Sequence, residues 1–579
     1  MLRAALIAAA LLAAPDASLA QLRPSQPEPP SGWTPKTLLH AKRHVVAAAH
    51  PLAVDAGVKM LEQGGSAVDA MVATQLVLSL VEPQASGLGG GAFFMYYDAP
   101  EKRVVAIDAR ETAPSGATPE LLLGPDGKPL AFQAAVVGGR SVGTPGTPRL
   151  LEAAHARYGK LPWAKLFEPA IALAENGFPL SPRVAELLTK DKGLSDSPAA
   201  RAYFFDANGN PKAAGAVMKN PEFAKTLRLL AAKGADGYYT GEVAADIVAA
   251  VRGYAKNPGS LSAEDLALYR VRDVEPLCGH YRALHLCGMP PSSSGGIAVL
   301  QILGVLERHD LAKVRPNSTE AVHLFSEAQR LAFADRNRYV ADDRFVDVPV
   351  RGLVDAGYLA ERAKLVRPEK SMGRAEAGTP AGVKVALADD PVDEVAGTSH
   401  IAIVDAQGNA VSMTTTIEGF FGSKIFVRGF LLNNELTDFN FSPVEDGKPV
   451  ANSVAPGKRP RSSMAPFLVF DAKGGQLDMV IGSPGGSLII GYVAKAIIGV
   501  YDWKLDMQKA IDLPNFGSRN GPTEIEKGTE LEATSATLKA MGHDVRAIDM
   551  TSGLQGIRRV AGGWEAGADP RREGVARGR

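Results

Sequence analysis

One stretch constrains this chain more than any other: Gly397-Thr398-Ser399-His400-Ile401-Ala402-Ile403-Val404, then Asp405 to Asn409, then Ala410 to Thr416. Two runs rich in β-branched residues flank a short polar segment containing Gly408 and Asn409, which is the pattern of a β-hairpin. With the turn centred on Gln407, Val404 faces Ala410 and Thr398 faces Thr416. Directly opposed residues share a face of the sheet, with Cβ atoms roughly 4.5–5.5 Å apart. A threonine that opens one strand therefore lies beside a second threonine. Threonine is a favoured strand residue, so this alone describes only sheet. Gly397 adds the chemistry. A residue without a side chain leaves its carbonyl open to the Thr398 hydroxyl, so the chain can cut itself between the two. Cleavage frees an α-amine whose ordinary pKa of about 7.7–8.0 suits a general base near neutral pH. A threonine activated by its own amine is a complete nucleophile.

Further motifs follow in a fixed order: Leu431-Leu432-Asn433-Asn434-Glu435-Leu436-Thr437-Asp438-Phe439, Gly457-Lys458-Arg459-Pro460-Arg461-Ser462-Ser463-Met464 and Gly482-Ser483-Pro484-Gly485-Gly486-Ser487. Together with Thr398-Ser399-His400 they resemble the γ-glutamyltransferase (glutathione hydrolase) family of N-terminal-nucleophile hydrolases, over about His40 to Asp569. The resemblance implies an α+β fold, a four-layer αββα sandwich built as one composite domain from two self-processed subunits, 39–397 and 398–579. It implies cleavage of γ-glutamyl amides such as glutathione through a Thr-linked γ-glutamyl-enzyme, with water, an amino acid or a peptide as acceptor and no cofactor. By the same resemblance Thr398 is the nucleophile and Thr416 tunes it, while Gly485 and Gly486 form the oxyanion hole. Arg110, Ser462 and Ser463 then match a pocket for the donor's α-carboxylate, and Glu435 and Asp438 match one for its ammonium. Opposite charges recognising a zwitterion are physically apt.

One position departs from the family pattern. Many members carry Asn where this chain has Glu418, which would place a third carboxylate beside Glu435 and Asp438. Mutual repulsion raises at least one pKa in such a group. Glu418 keeps open a second reading, a related acylase acting on glutaryl or β-lactam side-chain amides. The segment between Phe439 and Arg459 is also short, which leaves an open site that admits longer γ-glutamyl chains.

Composition sets the outer bounds. Lys plus Arg and Asp plus Glu are equal at 63 each, so no global field favours nucleic acid or an anionic membrane. Met1-Leu2-Arg3 and the apolar run Ala4 to Ala14, followed by Ser18-Leu19-Ala20, read as a secretory signal over 1–20, with the bacterial periplasm as destination. A Pro-rich lead-in occupies 21–38. Cys278 and Cys287 suit a disulfide in an oxidising compartment. With His280 and His285 between them they match no standard zinc spacing, and no metal is expected.

Along the chain, helices are expected from Pro51 to Gly64, from Ala67 to about Val81, from Ile297 to Leu306 and from about Thr319 to Arg338. Ser86-Gly87-Leu88-Gly89-Gly90-Gly91 follows a helix and opens a strand, the reverse of a dinucleotide loop, so it reads as close backbone packing. Ser262 and Asp265 form a capping-box pattern, and Asp335, Arg336 and Arg338 read as structural ion-pair partners. Residues 367–393 read as an exposed mobile linker, and the chain from Asp569 onward as disordered.

Overall fold

The computed structural model describes residues 32–390, 397–472 and 475–579. The expected signal, most of the Pro-rich lead-in and residues 391–396 just before the hairpin lie outside the described residues.

Two seven-stranded sheets form the centre. The first runs Val575–Gly578, Val45–Ala48, Gly397–Val404, Ala410–Glu418, Gly91–Asp98, Arg103–Ala109 and Arg272–Val274, antiparallel throughout. The second runs Leu39–Ala41, Gly563–Ala568, Gln555–Val560, Leu477–Gly482, Phe467–Asp471, Leu284–Gly288 and Leu277–Tyr281, also antiparallel. The hairpin holds the expected register, with Val404 opposite Ala410 and Thr398 opposite Thr416.

Strand periodicity decides which layer each side chain meets. Ile401, Ile403, Val411 and Met413 pack with the helices Pro51–Glu62 and Ala67–Val81 on the outer face of the first sheet. Ala402, Val404 and Ala410 point inward and share a core with Phe467, Met479 and Ile481 of the second sheet. The helices Gly295–Leu306, Thr319–Tyr339 and Ile489–Tyr501 close that core from beyond the second sheet. The result is helix, sheet, sheet, helix. Both large cores draw residues from before and after the Gly397–Thr398 bond, so neither half completes its interior alone.

Local readings fare well where the signal is local. Helix Ala67–Val81 is buried on every side, as its unbroken apolar run required, and Ser262 and Asp265 make a full capping box. Cys278 and Cys287 lie opposite one another in a hairpin and are joined as a disulfide. Two readings are corrected. The supposed linker is pinned at intervals: Ser371 N–H donates to Met541 O, Gly378 N–H to Asp335, and Asp390 N–H to Asn337 O. The supposedly disordered end is a strand, Val575–Gly578, edging the first sheet, preceded by the buried Asp569, Arg571 and Arg572. Arginine-rich sequence looks solvated until its acceptors are known, and here Glu526, Asp569 and backbone carbonyls supply them.

Candidate active site

Thr398 is fully buried at the head of its strand, on the face between the two sheets. Its hydroxyl donates to Thr416 Oγ1 at 3.2 Å. Thr416 Oγ1 in turn donates to the Gly397 carbonyl at 2.7 Å and accepts the Glu418 backbone N–H at 2.8 Å. A hydroxyl offers one proton and two lone pairs, and all three are used. The register shifts between Gly397 and Thr398, which sets Gly397 opposite Glu418 rather than Ile417. The bond between the two residues thus sits at a local irregularity, with its carbonyl already hydrogen-bonded.

The glycine run holds this corner by close approach. A Cβ on Gly90 would lie 1.9 Å from Thr416 O, and one on Gly89 would lie 2.0 Å from Leu431 O. Asn433 locks the same loop, donating to Gly89 O at 2.7 Å and Gly143 O at 2.9 Å while accepting from Glu435 N–H at 3.0 Å. The packing role expected of these glycines is the one they fill.

Arg110 gathers the charged residues. Its guanidinium donates to the Glu435 carboxylate, to Asp438 Oδ2 at 2.5 Å, to Arg461 O at 2.9 Å and to Pro460 O at 3.3 Å, all buried. The segment that follows carries Ser462 and Ser463. Ser463 Oγ accepts from Arg336 at 2.8 Å, while Ser462 pairs through its backbone with Ser292 and Ser294. Arg336, expected as an ion-pair partner, is therefore tied to the candidate carboxylate pocket, and it also donates to Ser294 Oγ at 3.0 Å.

Glu418 enters from the other side. Its carboxylate accepts from the Asn434 side-chain amide, and Asn434 also donates to Thr437 Oγ1 at 3.0 Å. Glu418 has φ +73°, a left-handed backbone that asparagine adopts far more readily than glutamate. It lines a cavity of about 640 Å³ together with Phe132, Val136, Phe420, Lys424 and Asn434. Burial pulls the Lys424 ammonium's pKa down, and Asp191 and Glu418 pull it back up.

Gly485 and Gly486 follow the strand Leu477–Gly482 with φ of +136° and +56°, conformations that side-chain-bearing residues rarely take. A Cβ on Gly485 would strike Tyr492 at 2.6 Å. This turn is held close to the hairpin. His400 packs its ring on Gly482 and meets Thr414 Oγ1 at 2.9 Å through Nδ1, and Ser412 Oγ donates to Ile481 O at 3.1 Å. Burial drives the His400 pKa down to about 3, so the ring is neutral.

Several neighbours carried no signal in the sequence. Arg572 donates to Thr398 O at 3.4 Å from the end of the chain. Ser399 donates to Glu82 at 3.2 Å and accepts from Ser86 at 3.1 Å on the helix side. These contacts span more than 170 residues, beyond the reach of periodicity or local motif. Among the described residues, two groups have the composition of metal ligands. In the first, Cys278, His285 and Cys287, the disulfide takes both thiols and leaves only the His285 ring of the three, and in the second His323, Glu327 and His543 are occupied by hydrogen bonds among themselves and to Thr523, Ser371 and backbone groups.

Helix, sheet, sheet, helix, with a threonine heading an inner strand directly after a glycine, is the architecture of an N-terminal-nucleophile hydrolase. The comparisons specify which kind. The γ-glutamyltranspeptidase family model matches residues 53–578. A glutathione hydrolase proenzyme of Bacillus subtilis (strain 168) is 36% identical over 549 residues, 93% of this chain and 92% of the relative. An acylase ACY 1 proenzyme of Pseudomonas sp. (strain SE83) is 36% identical over 524 residues, 89% of each. Among solved structures, a cephalosporin acylase from Bacillus halodurans aligns with a TM-score of 0.80 at 26% identity, covering 96% of this chain and 99% of that one. The chain belongs to the γ-glutamyltranspeptidase family.

Proposed function

We propose that this protein is a self-processing γ-glutamyltransferase and glutathione hydrolase. The observation that carries the reading is the hydrogen-bond chain from Thr398 Oγ1 through Thr416 Oγ1 to the Gly397 carbonyl oxygen. In the first step Thr398 Oγ1 attacks the Gly397 carbonyl carbon, and Thr416 stabilises the oxygen that becomes negative. The hydroxyl proton leaves toward Thr416 and ends on the departing Thr398 nitrogen. That shift frees the Thr398 amine, and water then hydrolyses the ester, releasing a Gly397 carboxylate and the Thr398 hydroxyl. That amine serves as base when the same hydroxyl attacks a γ-glutamyl amide. Gly485 and Gly486 supply oxyanion donors, and water or an amino compound takes the γ-glutamyl group from Thr398.

The donor's head group goes to the cluster at Arg110. A zwitterion enters by exchange: its carboxylate takes over guanidinium donors, and its ammonium takes the Glu435 and Asp438 carboxylates, with Ser462 and Ser463 at the carboxylate end and Glu418 on the ammonium side. A monoanionic glutaryl head has nothing to offer the two carboxylates, so the cluster favours γ-glutamyl donors. Support for the acylase alternative comes from the acylase relative, which has the same 36% identity as the glutathione hydrolase over a somewhat shorter span.

The working enzyme is a heterodimer of 39–397 and 398–579 in one composite domain. Residues 1–20 and the Cys278–Cys287 disulfide support export to an oxidising compartment, the bacterial periplasm. The test is a mass spectrum of purified protein together with an assay on γ-glutamyl p-nitroanilide. The expected small fragment begins at Thr398, and Thr398→Ala remains a single inactive chain. A fragment with any other first residue overturns the assignment of the nucleophile.

A further inference from the structure

Glu111 follows Arg110 at the end of the strand Arg103–Ala109 and is wholly buried. Two glycines make room for it. A Cβ on Gly91 would lie 2.5 Å from its Oε2, and a Cβ on Gly143 would lie 2.8 Å from its Cβ. Neither carboxyl oxygen has a partner at ordinary hydrogen-bond geometry. The charged and titratable groups around it are Arg110 on its own segment, Glu435 and Asp438 from the turn Glu435–Asp438, and the phenols Tyr238 and Tyr269. Both phenols stay neutral, because burial raises their pKa values. The Arg110 guanidinium is engaged with Glu435, Asp438 and two carbonyls.

A carboxyl so placed has lost its hydration without gaining strong donors, and it holds its proton unusually well. Burial lifts its pKa to about 7, against the pull of Arg110 and looser approaches by its own N–H and by Glu435, with Asp438 adding to the rise. Glu111 therefore changes charge near neutral pH, right beside the cluster proposed to receive the donor's head group.

We infer that Glu111 sets the charge of the head-group pocket and so tunes its preference for zwitterionic γ-glutamyl donors over monoanionic glutaryl donors. The inference rests on the γ-glutamyl reading above. When Glu111 ionises, the pocket gains one negative charge. That charge repels the carboxylate of either donor but attracts only the ammonium that the γ-glutamyl donor carries. Discrimination between the two consequently rises with pH. Glu111 is a positioning residue, because it acts through Arg110, Glu435 and Asp438 rather than on the reacting atoms. Its effect falls on KM more than on kcat.

The test compares γ-glutamyl and glutaryl p-nitroanilide on processed enzyme between pH 6 and 8, below the titration of the donor's amine. In the wild type the ratio of kcat/KM values should climb about tenfold through neutral pH, the size of an attraction of roughly 1.4 kcal/mol between the Glu111 carboxylate and the donor's ammonium in a polarisable site. In Glu111→Gln the ratio should be flat and stay at the wild type's low-pH value. Where that variant fails to process, the wild-type profile decides alone. A wild-type ratio that does not change with pH, or an equal climb in Glu111→Gln, overturns the inference and leaves the γ-glutamyl reading standing. Processed enzyme that turns over neither donor overturns both.

Discussion

Thr416 carries the heaviest load of any single side chain here. Its hydroxyl takes the Thr398 proton and the Glu418 N–H and gives its own proton to the Gly397 carbonyl. Thr416→Val keeps the shape and removes all three bonds, leaving a buried N–H unsatisfied at a cost of about 1–3 kcal/mol. The expected outcome is uncut protein on a denaturing gel, with Thr416→Ser cut normally. A Thr416→Val protein that processes at the wild-type rate would assign the carbonyl's activation elsewhere. Glu418 is the next test at this scale. If its carboxylate reads the donor's ammonium, Glu418→Gln should lower kcat/KM for γ-glutamyl donors roughly tenfold to a hundredfold, the loss of one charge-assisted hydrogen bond. Glutaryl donors should lose little. Equal losses on the two would confine Glu418 to supporting Asn434 and the turn behind it.

The loops that hold the hairpin are as exacting as its strands. A Cβ on Gly90 meets backbone, Thr416 O at 1.9 Å, which no rotamer change relieves. Gly90→Ala should push the end of the strand Ala410–Glu418 away from Gly397 and slow self-cleavage sharply while the protein still folds, as judged by circular dichroism. Normal processing would show that the corner yields more easily than its packing suggests. The hairpin's register and the glycine run's meaning were legible because both are local, set by spacing of two and by the order of helix and strand. The cluster at Arg110 was legible only through motif order, since its partners lie about 325 to 351 residues away. The bonds from Arg336 to Ser463, from Arg572 to Thr398 and from Ser399 to Glu82 were missed for the same reason, without a motif to rescue them. The chain end was misread because composition describes solvation, whereas Arg571 and Arg572 find buried acceptors that only the tertiary fold brings near.

Across the whole molecule, neutral histidines tie distant parts together and make the fold sensitive to acid. His50 caps the helix Pro51–Glu62, His400 wedges between the two sheets, and His543 joins His323 to Thr523. Burial lowers their pKa values to about 4, about 3 and about 4. An unfolded histidine titrates near 6.5, so above that pH neither state binds a proton at these positions and their stabilising effect is fully present. As pH falls below 6.5 the unfolded chain takes up protons that the folded one refuses, and stability drops until the folded pKa values are reached. Each depressed group accounts for a few kcal/mol across that window. Between pH 6.5 and 5 few ordinary carboxylates titrate; Glu111, which burial keeps protonated only in the folded chain, pulls the other way, and the three histidines together outweigh it. The melting temperature should fall steadily across that interval, and His543→Gln, which keeps a side-chain amide for Thr523 and His323, should flatten the slope. A melting temperature that stays level from pH 6.5 to 5 would mean that these rings are protonated in the folded protein, with carboxylate partners that their present hydrogen bonds do not include.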